Sequence, residues 1–287
     1  MTRAVLREKL ARGEFIVAPG IQDMITAVVA RDIGFEVVYG TGYWLTASAY
    51  GLPDAGIASV TQMVDRMATL VQSSGAAVIA DADTGFGGLL NVHHTVRAYE
   101  KAGVAAIQIE DQEFPKKCGH TPYKRIVPVE EMVRKIKVAC DARSSDDFLV
   151  IARTDARQSE GFDGAMRRLE AYAKAGADVL FPEALTSREE IAAAGRAFDT
   201  PLLANMASGG LTPILPVKDL KELGYAIAIF PALASLAAAA AVHRALSHLK
   251  THEDGNSPDI PLYDFNRFCE LIGFKDVWAF ERKWAED

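Results

Sequence analysis

Eight short runs of branched and aromatic apolar residues recur along the chain, each separated from the next by a stretch with helical spacing. They are "FIVAPG" (15–20), "EVVYGTG" (36–42), "AAVIADAD" (76–83), "AAIQIED" (105–111), "FLVIARTD" (148–155), "ADVLFPE" (177–183), "PLLANM" (201–206) and "AIAIFP" (226–231). Strands that are apolar almost throughout, joined by helices, belong to a parallel sheet covered on its outer face. Two helix exits repeat one another: "KAGVAAIQIED" and "KAGADVLFPE" both end a helix on Lys-Ala-Gly and enter a strand, the glycine supplying a left-handed stop. Eight such units in about 230 residues predict an α/β fold of the closed (β/α)8 barrel type. An open doubly wound sheet is the second choice, weakened because no glycine-rich dinucleotide fingerprint follows the first run. The barrel is assigned to residues 1–250. Residues 251–287, a polar linker and then "LYDFNRFCELIGFKDVWAFERKW", form a C-terminal helical extension apolar enough to need a groove on its own barrel or a neighbouring subunit.

Composition narrows the function. With 49% hydrophobic and 24% charged residues the chain reads as globular, and a net charge of −7 without a dense Lys/Arg tract argues against nucleic acid. Three cysteines in no metal-binding spacing suit a reducing cytoplasm. The charged N-terminal segment lacks the pattern of a signal peptide. The longest apolar run, Ala226 to Val242, contains Pro231 and is mostly alanine, so it reads as a strand and a helix rather than a membrane span.

The strand ends carry the chemistry. Asp81 and Asp83, Glu110 and Asp111, Arg153 and Asp155, Glu183, and Asn205 all fall at the C-terminal ends of their runs, the ends that converge on the catalytic face of a barrel. Asp81, Asp83 and Glu110, with Asp54 from "GLPDAG", form a hard oxygen cluster that would repel itself without a cation; few ligands plus water suit Mg²⁺. One of these acids is enough to cap the following helix. "VYGTGYW" (38–44) ends a strand in a turn whose N–H groups suit a carboxylate or oxyanion. Arg153 and Asn205 add a bidentate cation and an amide, a set that clamps a small carboxylic acid. In "IEDQEFPKKCGH" (109–120), Cys118 sits between lysines and a glycine, a setting that favours thiolate over thiol. The segment from Glu113 to Arg125 is long and polar for a barrel connection and is read as a lid.

"VYGTG", "GLPDAG", "ADADTGFGG", "NVHHTVRAYEKAGVAAIQIEDQEFPKKCGH", "EEMVRKI", "ARTDA" and "LFPEA" followed by "LANM" occur in the order and spacing of the isocitrate lyase/phosphoenolpyruvate mutase superfamily. The chain most resembles its branch of methylisocitrate and 2,3-dimethylmalate lyases. The resemblance implies Mg²⁺ (or Mn²⁺)-dependent cleavage of a 2-hydroxy di- or tricarboxylate into a 2-oxo acid such as pyruvate and a second carboxylate. It implies Cys118 as general acid on a mobile lid that also holds Lys116, Gly119 and His120, with Tyr39, Thr41, Gly42 and Arg153 around the oxo acid. Asp81 and Asp83 would hold the metal with Asp54 and Glu110 near it, Glu183 and Asn205 would contact the departing carboxylate, and Tyr39 is the candidate base. A homotetramer that exchanges its last barrel helix is also implied. Thr41 stands where methylisocitrate lyases read serine, Tyr43 replaces a small residue, and "NMASGGLTP" (205–213) is closer to the alkylmalate type. Oxaloacetate hydrolysis or decarboxylation, and phosphonate C–P chemistry, are the alternatives on the same scaffold.

Overall fold

All eight runs form strands: β1 (Ile16–Ile21), β2 (Val37–Gly40), β3 (Ala77–Asp81), β4 (Ala106–Glu110), β5 (Leu149–Thr154), β6 (Val179–Pro182), β7 (Leu203–Asn205) and β8 (Ile227–Phe230). The computed structural model describes residues 2–256 and 260–285. Ser257, Pro258 and Asp259 of the linker, with Met1, Glu286 and Asp287, lie outside them. Every neighbouring pair is parallel, in the order β6-β5-β4-β3-β2-β1-β8-β7. The last seam closes on one bridge, Leu180 to Leu202, where Leu180 N–H donates to Pro201 O at 2.9 Å. This is a nearly closed (β/α)8 barrel.

Alternation along each strand divides the core in two. Ile16, Val37, Ala77, Ile151, Val179, Leu203 and Ile227 fill the barrel interior, while Val38, Val78, Ile107, Val150 and Leu180 pack outward against the helices. The N-terminal mouth is plugged by the helix Thr2–Ala11. Its Leu6 is fully buried among the interior residues, contributing about 1.5–3 kcal/mol. Arg7 to Asp178 (3.2 Å) and Lys9 to Glu36 (2.7 Å) tie it to residues preceding β6 and β2.

The C-terminal helices lack such cover. In the helix Leu233–His252 only Ser235 is buried, and Leu236, Val242, Leu246 and Leu249 face outward. The helix Phe265–Leu271 docks on the barrel through Arg267–Asp32 (2.6 Å) and Arg31 Nη2 to Leu271 O (2.8 Å). The helix Phe274–Trp284 buries no residue and exposes Phe274, Val277, Trp278, Phe280 and Trp284. Among the described residues no helix is long and apolar enough to cross a membrane.

Candidate active site

The alternation that fills the interior also selects which polar side chains look inward at the C-terminal mouth. Counting by twos from the interior residues gives Tyr39 on β2, Asp81 on β3, Gln108 and Glu110 on β4, Arg153 and Asp155 from β5, Glu183 after β6 and Asn205 on β7. Asp111, one step out of phase, points the other way. Its carboxylate accepts from Thr154 Oγ1 (2.6 Å), Tyr172 OH (2.7 Å) and Arg168 Nη1 (3.3 Å) behind the sheet. A cavity of ≈ 230 Å³ opens on this face, lined by Tyr39, Thr41, Asp54, Asp81, Lys116, Cys118, Gly119, His120, Arg153, Glu183 and Asn205, with Tyr43, Trp44, Ala207, Pro231 and Ala232 on its outer wall. Gly42, Asp83 and Glu110 stand immediately behind the lining. Tyr43 and Trp44 are therefore wall residues, not core.

The acids do not form the open cluster that the sequence suggests. Lys116 reaches between them, its ammonium 2.5 Å from Asp54 Oδ1 and 3.0 Å from Asp83 Oδ1. Its charge is spent there, which corrects the expectation that Lys116 acts on the neighbouring thiol. Among the described residues no three His, Cys, Asp or Glu side chains are placed to hold a metal ion directly. Negative charge is nonetheless in excess. Burial, then Asp81 and Asp54, push Asp83 up to about 7 against the pull of Lys116. Asp81 Oδ1 accepts from Asp83 N–H at 3.0 Å. A Cβ on Gly42 would lie 2.7 Å from Asp81 Oδ2, so only glycine lets the first turn of the helix Gly42–Tyr50 approach this carboxylate. That turn presents N–H groups without intrahelical partners to the same region. Two buried aspartates short of counter-charge, beside room for water, fit a hydrated divalent cation.

Arg153 is the hub of the opposite wall. It donates to Asp155 through Nε (2.9 Å) and Nη2 (3.0 Å), lies 3.2 Å from Glu183 Oε2 and 3.4 Å from Glu110 Oε2. Asn205 Nδ2 donates to Glu183 Oε2 at 3.0 Å, which leaves its buried Oδ1 an unpartnered acceptor. Glu183 is thus occupied by Arg153, Asn205 and the Ala184 N–H. Tyr39 OH donates to Gln108 Oε1 at 2.9 Å; burial first, then the charge on Asp81, hold it well above the ordinary phenol range. Tyr39, the candidate base, thus gives its hydroxyl hydrogen to Gln108 in this arrangement.

Residues 113–125 form a loop whose ends are pinned together. Gln112 and Ile126 make an antiparallel bridge, and Glu113 N–H donates to Arg125 O at 2.8 Å. The loop lies over the cavity: a Cβ on Gly119 would collide with Arg153 Nη2, so the glycine is needed for this approach. His120 Nδ1 accepts from Leu211 N–H at 3.2 Å, so the proton resides on Nε2. That atom is buried, without a hydrogen-bond partner, 3.5 Å from Glu183 Oε1. Cys118 is half-buried, and burial raises its thiol above the ordinary value against the opposing His120 N–H and Arg153. The thiolate expected from its flanking lysines is overturned. Lys116 pairs with the acids, Lys117 turns to Tyr123 O (3.4 Å), and desolvation dominates.

Three contributors escape the sequence pattern: Gln108, Gln112, which holds Lys117 N–H through Oε1 (3.0 Å) and Glu110 Oε1 through Nε2 (2.9 Å), and Lys124. For Gln108 a signal existed, since it is an amide in the middle of an otherwise apolar strand, in phase with Glu110.

A family model described as phosphoenolpyruvate phosphomutase matches residues 6–250. The chain is 44% identical to a 2,3-dimethylmalate lyase of Eubacterium barkeri, over 99% of this chain and 98% of that one. It is 43% identical to a 2-methylisocitrate lyase of Aeropyrum pernix, covering 98% and 90% respectively. Among solved structures, an oxaloacetate acetylhydrolase bound to 3,3-difluorooxalacetate superposes with a TM-score of 0.94 at 36% identity, covering 100% of this chain and 98% of that one. A phosphonopyruvate hydrolase in complex with oxalate and Mg²⁺ gives 0.89 at 32%, covering 100% of both. The barrel agrees with these relationships, and the chain belongs to the phosphoenolpyruvate mutase/isocitrate lyase superfamily.

Proposed function

We propose that the protein is a divalent-metal-dependent carbon–carbon lyase that splits a 2-hydroxy dicarboxylate of the alkylmalate type into a 2-oxo acid, such as pyruvate, and a second carboxylate. The observation that carries this reading is the half-buried Cys118 thiol at the wall of a cavity that also holds Arg153 and Asp81, with Asp83 directly behind. A divalent ion, Mg²⁺ or Mn²⁺, would be held at Asp81 and Asp83 largely through water, with Asp54 and Glu110 nearby, and supplies Lewis-acid polarisation of the 2-hydroxy acid. Arg153, Thr41 and the Gly42 turn bind the 2-oxo-acid end, with the neutral Tyr39 hydroxyl as an additional donor. His120 Nε2–H faces the other carboxylate, with Asn205 and Glu183 beside it. As the 2-hydroxyl gives its proton to water and becomes a carbonyl, the C2–C3 bond breaks and its electron pair passes to C3. Cys118 delivers its proton to C3, and the resulting thiolate is reprotonated from solvent.

The outer wall favours a dicarboxylate. Tyr43, Trp44, Ala207, Pro231 and Ala232 offer alkyl groups a surface and a third carboxylate no cation. A reducing cytoplasm suits chemistry that depends on a free thiol. The superposition on an oxaloacetate acetylhydrolase supports a second reading, hydrolysis of oxaloacetate. That reaction also expels a carbanionic fragment, acetate, which would take the same proton, so the products must decide. Incubating the enzyme and Mg²⁺ with 2,3-dimethylmalate, methylisocitrate, oxaloacetate and phosphonopyruvate should release pyruvate fastest from the alkylmalate. Oxalate from oxaloacetate as the dominant product would replace the lyase reading with the hydrolase.

The exposed apolar faces of the helices Leu233–His252 and Phe274–Trp284 support assembly, and we read the protein as a homotetramer whose last barrel helix packs on a neighbour. Sedimentation at micromolar concentration should give four times the 31.0 kDa chain mass. A monodisperse monomer would contradict it.

A further inference from the structure

Lys124 lies at the far end of the lid from Cys118, yet its side chain is only 2% exposed. Its ammonium donates to Asp155 Oδ1 at 2.9 Å and to the carbonyl of Gly119, next to the thiol-bearing residue. Asp155 is fixed from two other directions. Arg153 grips its carboxylate through two nitrogens, and its own N–H donates to Asp111 Oδ1 at 2.8 Å. Asp111 is itself anchored behind the sheet by Arg168, Tyr172 and Thr154. A rigid line of contacts therefore runs from the helix layer through the barrel wall to one lid side chain. Before Cys118 the lid is held by Lys116 on Asp54 (2.5 Å) and Asp83 (3.0 Å) and by Gln112 on the Lys117 backbone (2.8 and 3.0 Å). Beyond Cys118 it meets the barrel face, apart from Lys124, through a 3.2 Å bond from Leu211 N–H to the His120 ring.

We infer that Lys124 is a positioning residue: by joining the Asp155 carboxylate to the Gly119 carbonyl it latches the lid and sets Cys118 over the cavity. Its effect on turnover rests on the lyase reading; the latch itself is readable without substrate. A charged hydrogen bond of this kind has its Coulomb partner buried, so losing it leaves Asp155 undercompensated and Gly119 O without its donor. The open lid, with Lys124 in water, then gains population.

The test is the rate at which iodoacetamide alkylates Cys118 in the ligand-free enzyme, followed by peptide mass spectrometry. Cys269, 8% exposed and remote from the lid in the chain, serves as the internal report of global opening. Lys124→Met and Lys124→Gln should label Cys118 about tenfold faster or more, with Cys269 unchanged, because a lost charged hydrogen bond is worth at least that factor in opening. Lys124→Arg should restore most of the protection. In turnover, both neutral variants should lower kcat while keeping oxalate affinity. If both label Cys118 at the wild-type rate, or label Cys118 and Cys269 faster together, the latch is overturned. Faster labelling with kcat unchanged would overturn the positioning of the acid. An enzyme that cleaves no alkylmalate would sink the lyase reading and leave the labelling comparison to decide the latch.

Discussion

Cys118→Ser should cut cleavage of an alkylmalate by about 10²–10⁴-fold, the usual worth of a placed general acid, while leaving oxalate affinity unchanged. Serine keeps the size of the side chain and its backbone, so the lid still closes over Arg153 and the Gly42 turn. What it lacks is acidity: an alcohol is a far poorer proton donor to a carbanion than a thiol. The pH profile gives a second readout. The donor must be protonated, and burial raises the Cys118 thiol. Wild-type turnover should therefore persist through the ordinary thiol range and fall only above it. That alkaline limb should vanish in the serine enzyme. Turnover by the mutant within about tenfold of wild type would remove Cys118 from the chemistry.

Exhaustive EDTA treatment should abolish turnover by several orders of magnitude on the same scale, with recovery on adding Mg²⁺ or Mn²⁺. Asp54, Asp81 and Asp83 bring three potential negative charges to one side of the cavity, and Lys116 answers only part of them. Burial, with Asp81 and Asp54 beside it, pushes the Asp83 carboxyl up to about 7. A cation needs the carboxylate, so below that pH it must displace a proton, and its affinity should weaken by up to about tenfold per pH unit. Above it the affinity should level off. Measuring Mg²⁺ binding by calorimetry between pH 5.5 and 8.5 checks the slope. Unchanged activity after EDTA would dispose of the metal altogether.

The strands were readable because a buried parallel strand announces itself by apolar continuity. The same continuity hides which way each residue points. In "AAIQIED" the alternation sets Gln108 in phase with Glu110, and Ile107 and Ile109 in phase with Asp111, yet only barrel closure decides that the first set meets the cavity and the second meets Arg168. Cys118 was recognisable by its motif, whereas its protonation depended on what lies above and below it. A run of lysines looks like positive potential until the fold spends each charge elsewhere, as Asp54 and Asp83 do for Lys116. Lys124 was illegible for a different reason. Its partner Asp155 is thirty-one positions away, and no local spacing marks a pairing that exists only once the lid lies down.

The bridge between Gln112 and Ile126 gives the loop between them an evolutionary meaning. Because both ends are sewn to each other, changes of length or sequence from 113 to 125 need not propagate into β4 or the following helix. The loop is in effect an exchangeable cartridge that brings its own proton donor to a fixed electrostatic socket. A chimera in which residues 113–125 are replaced by the corresponding loop of the phosphonopyruvate hydrolase should therefore fold with β4 and the following helix undisturbed.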